Sequence, residues 1–551
     1  MRVRSITPLA LVALVATFAL PAARASAQAG LTHVDDAQPL APGVMRFRLL
    51  NAWTRFDQRV GADGSTQPLG GAFTTDSLGP RQFPFLANLE SRFGALTGAP
   101  FRLSLGGVRT DADARVVTTP IMMEYGVSHR LSVGFVLPVV QTRVTVSVHP
   151  RGGGNVGVNP ATVGSASAAV NGAVLQQFSA ASAQLAQALA SCVNSIAPNC
   201  AALNARRAAA QAFLSDAQQY TGLLAAVYSP TSPPPLVPRA GSTTQSLINT
   251  RVATYNSGFR DYLGATSDPI TARPVAAARD VGFADLQSTL ATYALDTLRP
   301  SDRIGIGDLE FSARYLLVDG FVARRDSNPV GNAFQYRVML TAVGRLGTGV
   351  QPSDSSLFDL GLQSGMSAVE GRAAMDVRFP GHLAGTVAAQ YTHFLGTRTL
   401  TRIPSFGLLP LLPSAPSVMT ATPGSAMAFQ VTPRWFFSDY LSINGAYGFQ
   451  RVAGTRYDPA VTTLNPLADP ALCPQFTNCG PIPGATAPSM VSQQLGIGIG
   501  YSTLGRRALF SGLPMELSFL HLETLSASGA GTPRGTRDQV EMRLFYRVRG
   551  R

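Results

Sequence analysis

Apolar and polar residues alternate with a period of two along much of the chain, a spacing that puts successive side chains on opposite faces of a strand. In VMRFRLLNAWTRF (44–56), Met45, Phe47, Leu49 and Trp53 share one face while Arg46 and Arg48 share the other. IGDLEFSARYLL opposes Leu309, Phe311, Ala313, Tyr315 and Leu317 to Glu310, Ser312 and Arg314. AFQYRVMLTAVGR sets Phe334, Tyr336, Val338, Leu340 and Ala342 against Gln335, Arg337, Thr341 and Arg345. VEGRAAMDVRF sets Val369, Ala373, Met375, Val377 and Phe379 against Glu370, Arg372, Asp376 and Arg378. Near the C-terminus, Val540, Met542, Leu544, Tyr546 and Val548 oppose Glu541, Arg543 and Arg547. Segments of this kind begin near Val44, Arg115, Leu131, Ile304, Phe334, Met366, Leu383, Met427, Leu441, Val491, Met515 and Val540. FRLSLGGVR (101–109) is a further candidate, so the count is 12 or 14 strands, with 12 favoured.

The connections between these segments differ by side. GVSHR (126–130), PGH (380–382) and SDY (438–440) are short, whereas 149–302, 347–364, 397–424 and 454–488 are long. Membrane-spanning barrels of the bacterial outer membrane have short periplasmic turns and longer external loops. An even strand number then leaves both termini in the periplasm. A soluble sandwich also alternates, but strands of 10–14 residues suit a tilted bilayer crossing and exceed the usual soluble strand of about 5–6. Aromatic residues near strand ends, such as Trp435, Phe436, Phe437 and Tyr546, fit interfacial girdles. The expected fold is therefore all-β: a transmembrane antiparallel barrel over 28–551, with 58–100 a loop carrying a short helix around 86–96.

Composition sharpens this picture. The chain is 45% hydrophobic and 14% charged, against about a quarter charged in soluble domains. Residues 1–27 read as a secretory signal peptide: Arg2 and Arg4, an apolar stretch, then the small-residue cleavage site Ala25-Ser26-Ala27. Past it no apolar run approaches the roughly 18–20 residues of a membrane helix. An exported apolar chain without such helices satisfies its backbone in lipid by closing a sheet. The formal charge is +13, carried by 44 arginines and no lysine. These arginines are scattered rather than clustered, which argues against nucleic-acid binding and for a barrel lining or contact with anionic lipid.

The long segment 149–302 has a separate character. Residues 164–190 and 200–227 are rich in Ala, Gln, Leu and Ser and predict a helical hairpin, with another helix at 282–297. Such an insertion serves as an external cap or a lumenal plug. Cys192 with Cys200, and Cys473 with Cys479, are close pairs in an exported chain and are expected to form disulfides rather than a metal site.

Candidate chemistry is sparse. His521 and Glu523 share a strand face, an arrangement suited to acid–base work, although adjacent polar residues on a strand more often line a lumen. RGGGNVGVNPA and LGIGIGYS lack the Gly-Lys-Ser/Thr that follows a phosphate cradle. No cofactor, metal or enzymatic role is expected. The lumen-lining candidates are Glu310, Arg314, Arg337, Arg345, Glu370, Arg372, Asp376, Arg378, Glu541 and Arg543, which either border water or fill the barrel as ion pairs. A barrel of this strand number is wider than the roughly eight-stranded size that side chains alone can fill.

EYGVSHRLSVGFVLPVV, IGIGDLEFSARYLLVDG and GRLGTG resemble outer-membrane barrels of the phenol-degradation-pathway transporter family, distant relatives of the long-chain fatty-acid transporters. The shared features are Tyr125-Gly126, Gly305-Ile306-Gly307-Asp308 and Leu346-Gly347-Thr348-Gly349. Asn159-Pro160-Ala161 resembles the fatty-acid transporters' Asn-Pro-Ala but stands far from the N-terminus, and the stretch before the first strand is too short for a plug domain. The resemblance implies an outer-membrane protein that passively admits small hydrophobic or aromatic solutes. A membrane-embedded lipid hydrolase and a surface-interaction barrel are the alternatives.

Overall fold

Long antiparallel strands pair in chain order and close into a ring of 12 in the computed structural model. The model describes residues 36–548 except 62, 72–73, 81–85, 194, 196, 283, 286, 289–299, 322–333, 353–358, 402–416, 460–484, 487–488, 505–513 and 530. The barrel strands are β1 (Val44–Val60), β2 (Gly107–Gly126), β3 (Leu131–Gly152), β4 (Leu309–Asp319), β5 (Gln335–Leu346) and β6 (Ala368–Arg378). They continue with β7 (Leu383–Phe394), β8 (Ala426–Phe436), β9 (Leu441–Val452), β10 (Met490–Ser502), β11 (Met515–Ser528) and β12 (Pro533–Arg547). β1 pairs with both β2 and β12, which completes the closure. The short strand Ser301–Ile306 prolongs β4 along β3. Every predicted segment is present, but 101–109 is not a separate strand: Gly107 to Arg109 open β2, and 101–106 run without regular structure.

Both described ends of the chain lie at the end of the barrel that carries the turns 127–130, 379–382 and 437–440, hereafter the short-turn end. The asymmetry of connections is incomplete. The connections from β4 to β5 and from β10 to β11 also leave and re-enter the barrel at the short-turn end, and β11 passes to β12 at the opposite, long-loop end. Among the described residues no helix is long and apolar enough to cross a membrane, so any crossing falls to the strands.

The polarity of the wall inverts at one level. On β2 the outward residues from Val117 to Tyr125 are apolar apart from Thr119, and on β3 Leu131, Val133, Phe135, Leu137 and Val139 face out. One step further the outward positions become Arg115, Asp113, Asp111 and Arg109 on β2, and Gln141, Arg143, Thr145, Ser147 and His149 on β3. The inward positions at that height are mostly apolar, with Val108, Ala112, Ala114 and Val116 on β2 and Val144, Val146 and Val148 on β3, and with Thr110 and Thr142 the polar ones. The edge is in register across β12, β1, β2 and β3, because Trp53 pairs with Val117 and Asp538, while Arg55, Arg115 and Arg143 align two residues higher. Below the edge the hairpin is built inside out, as hydrocarbon demands, and above it as a soluble protein. From Met45 to Trp53 the apolar band spans eight steps at about 3.4 Å, roughly 21 Å on strands tilted by about 40°. That is close to the band of about 25 Å typical of such barrels. Trp53 marks its upper edge, and Tyr125, Tyr336, Trp435 and Tyr546 stand outward and exposed near the lower one.

The helices gather on the apolar inner face of the projecting β2–β3 hairpin. These are α1 (Leu86–Thr97), α2 (Ser165–Ser191), α3 (Pro198–Ala205), α4 (Arg207–Tyr228) and α5 (Thr243–Leu263). One core joins Phe93 and Leu96 of α1, Phe178 and Leu185 of α2, Tyr220 and Leu224 of α4, and Val252 and Phe259 of α5 to Val108, Ala114 and Val144 of the hairpin. Tyr220 stacks on Tyr255 at 4.6 Å, and Phe213 meets Phe259 edge-on at 5.0 Å, contacts that add to the gain from burial itself. Burial pushes the Tyr220 and Tyr228 phenols up, so this aromatic core stays uncharged at physiological pH. The predicted hairpin is α2 with α4, and Cys192 and Cys200 are disulfide-bonded at its turn. Cys473 and Cys479 lie outside the described residues, as do residues 1–27 and much of the helix expected at 282–297. α5 was not legible from alanine content. Its signals are a Ser242 hydroxyl accepting from the Gln245 N–H at 3.2 Å and Gly264 closing it at φ +61°. Asn159-Pro160-Ala161 is a local cap at the foot of this unit, where the Asn159 side-chain Oδ1 accepts from the Ala161 N–H at 3.0 Å.

Candidate functional site

The interior divides into a charged, filled part and a neutral, open part. All ten charged candidates lie at inward positions, and most of them pair with one another across strands. The first cluster includes residues near the N-terminus. The Arg46 side chain, fully buried on β1, donates to Glu124 at 2.7 Å and to Asp36 at 3.2 Å. Arg314 donates to the same Glu124 at 2.8 Å and contacts Asp36 at 3.4 Å. Arg48 holds Glu541 at 2.8 Å, which also accepts from Arg543 at 2.9 Å, and Arg543 pairs with Asp36 as well. In the second cluster Arg345 bridges Glu310 at 2.9 Å and Glu370 at 3.0 Å, and Arg372 reaches Glu310 at 3.0 Å. In the third, Arg337 grips Asp376 at 2.7 Å, which also accepts from the Thr386 hydroxyl at 2.8 Å. Arg378 lies over the Phe321 ring at 4.9 Å. A void of only about 20 Å³ remains beside Glu310, Arg314 and Arg372, about enough for one water. The charges therefore fill this part of the barrel as ion pairs.

Buried carboxylates need partners able to satisfy several lone pairs at once, and the guanidinium fork does so with two parallel donors. A lysine would offer a mobile point charge in its place, which gives a physical reason for arginine at every basic position in these clusters.

The described residues before β1 add to the sequence reading, because they occupy the lumen near the short-turn end. Asp36 is ligated by three arginines, and the Ala37 N–H donates to Asp376 at 3.1 Å. Ala37 itself is fully buried among Leu316, Met339, Ala374 and Ala388, on the opposite wall from β1.

The neutral part was not found from the sequence. On β7 to β11 the inward positions carry Thr386, Gln390, Thr392, Gln430, Thr432, Ser442, Asn444, Gln450, Ser492, Gln494 and Thr524 among alanines and glycines. Among the described residues, Arg434 and Glu516 are the charged exceptions there, both close to the short-turn end. Toward the long-loop end this wall borders a cavity of about 330 Å³. Its lining mixes carboxamides (Gln363, Gln430, Gln450, Gln494, Gln539), hydroxyls (Thr54, Thr118, Ser492, Thr536) and apolar groups (Phe56, Val116, Leu360, Leu522), with Arg537 and Asp359 the ionisable members. Among the described residues, the helices of 149–302 contribute nothing to it. Instead, Leu360 and Gln363 come from the β5–β6 connection, which folds inward.

His521 and Glu523 share a face as expected, but it is the outward one, away from this cavity. The His521 Nδ1 lies 2.7 Å from the Asp538 carboxylate at the edge of the apolar band.

Fold and interior together define a membrane-spanning β-barrel with a partly filled lumen. No family model and no curated protein matches the chain. Solved structures similar to it include the COG4313 outer membrane channel from Pseudomonas putida F1, at 9% identity over 93% of this chain and 100% of that one, with a TM-score of 0.40. The P. putida toluene transporter TodX matches at 8% identity over 92% and 89%, TM-score 0.24. A Pseudomonas aeruginosa FadL homologue matches at 9% over 96% and 99%, TM-score 0.26. Scores this low add nothing to the barrel that the strand pairings already define.

Proposed function

We propose that this barrel resides in the bacterial outer membrane and passes small hydrophobic or aromatic solutes by passive diffusion, with the short turns facing the periplasm. The observation that carries this reading is the 330 Å³ cavity inside a closed wall whose outer face is an apolar band. A cavity lined mostly by apolar and uncharged hydrogen-bonding groups desolvates a small organic molecule at little cost, whereas a strongly hydrated ion finds only Arg537 and Asp359 as charged partners there. The helical unit on the β2–β3 projection acts as an external cap. A solute moving from the cavity toward the periplasm meets residues 36–40, so passage requires that segment to shift. The lumen-lining role belongs to the neutral wall, and the charged candidates hold the barrel and the N-terminal segment together.

Liposomes containing the full-length protein should take up phenol, toluene or benzoate faster than protein-free liposomes. Equal rates across such a panel contradict the proposal.

A further inference from the structure

The two glycine motifs singled out in the sequence meet in space. Gly307-Asp308 sits at the break between Ser301–Ile306 and β4, while Gly347-Thr348-Gly349 leaves the end of β5, the adjacent strand. Asp308 is 3% exposed. Its carboxylate accepts from the Gly349 N–H at 2.9 Å, the Ser364 N–H at 3.2 Å and the Ser364 hydroxyl at 2.6 Å. The Thr348 hydroxyl donates to the Gly307 carbonyl at 2.6 Å and accepts from the Leu309 N–H at 3.1 Å. The Asp308 N–H in turn donates to the Gln363 carboxamide oxygen. Both arms of the β5–β6 connection are thereby fastened to one buried carboxylate.

Close backbone approach explains the glycines. A Cβ on Gly347 would stand 2.7 Å from the Met366 carbonyl carbon, and one on Gly349 would fall on the Leu362 carbonyl oxygen. The returning arm is turned inward by Gly361 at φ +66° and Gly365 at φ +58°, with Gln363 between them also at φ +66°. It seats Leu362 against the inward-facing Val116 and Val140, sets Asp359 3.0 Å from Arg303, and presents Leu360 and Gln363 to the cavity.

We infer that this inward fold, fastened by Asp308, is the constriction that sets the largest solute the barrel passes once residues 36–40 have shifted, with Asp308 as its positioning residue; the inference rests on the channel reading above. A side chain that cannot accept three hydrogen bonds releases both arms from the wall, and the lumen widens where Leu360 and Leu362 now stand.

The test is osmotic swelling of liposomes containing the full-length protein, in arabinose, sucrose and raffinose as sized neutral probes. The readout is the ratio of sucrose to arabinose rates, which a change in total folded protein does not move. Asp308→Ala should raise that ratio by at least about fivefold, and Leu360→Ala, which leaves the clasp fastened, should raise it less. Ser364→Ala combined with Thr348→Val loosens the clasp without touching the carboxylate and should shift the ratio the same way if Asp308→Ala fails to fold. A wild type that swells in arabinose, with unchanged ratios in the folded variants, overturns the inference and leaves the channel reading standing. No swelling for any protein, Asp308→Ala included, overturns the inference, while uptake of phenol, toluene or benzoate decides the channel reading separately.

Discussion

Arg46→Ala should destabilise the barrel by about 3–5 kcal/mol, because it removes a buried cation that two buried carboxylates share and leaves the cluster short of positive charge. Arg46 is 0% exposed and serves both Asp36 and Glu124, so its loss leaves those acids to Arg314, Arg543 and Arg48 in poorer geometry. Arg55 supplies the internal control. It lies on the same strand, 63% exposed at its side chain, with Asp113 at 2.9 Å. Arg55→Ala should cost about 0–1 kcal/mol, as exposed ion pairs do. Urea unfolding of both variants in the same detergent measures the contrast. Arg46→Lys should fall between them, since one ammonium cannot reproduce the two-sided fork. Equal stabilities for Arg46→Ala and wild type would show that the cluster is hydrated rather than sealed.

The second large effect concerns the outer wall. Leu340 projects outward from the middle of β5, between Tyr315 and Ala373 on the neighbouring strands. Leu340→Arg should cost about 2–4 kcal/mol in a bilayer, the expense of a cation near the midplane. Ser147→Arg places the same group outward on β3 but above the apolar band, among Arg143, Thr145 and His149, and should be close to neutral. Folding yield into liposomes, followed by unfolding in guanidinium, distinguishes the two. Similar costs at both positions would mean that the apolar band does not meet lipid.

The strands were legible because lipid enforces the alternation that the sequence displays. Each residue of β5 and β6 assigned to a face from spacing alone lies on that face. The start of β2 was hidden because its polarity inverts above the band. Arg109, Asp111 and Asp113 there take the outward positions that apolar residues hold lower on the same strand. The charged residues were visible as an inward set, but whether they bordered water or one another was not. That depends on pairs such as Arg543 with Asp36, which lie 507 residues apart in the chain. The neutral cavity wall escaped notice because Gln, Thr, Ser, Ala and Gly alternate weakly against the apolar outer positions. The inward β5–β6 connection escaped as well, since the meaning of its glycines depends on which backbone each one touches.

Spin labels scanned along β3 test the central claim most directly, because this strand crosses the level where the wall changes character. With the protein in liposomes, labels at Val133, Phe135 and Leu137 should collide mainly with dissolved oxygen, and labels at Arg143, Thr145 and Ser147 mainly with a water-soluble nickel chelate. The crossover should fall between Val139 and Arg143. Equal access of the chelate to all six positions would contradict a lipid-facing band and the membrane barrel built on it.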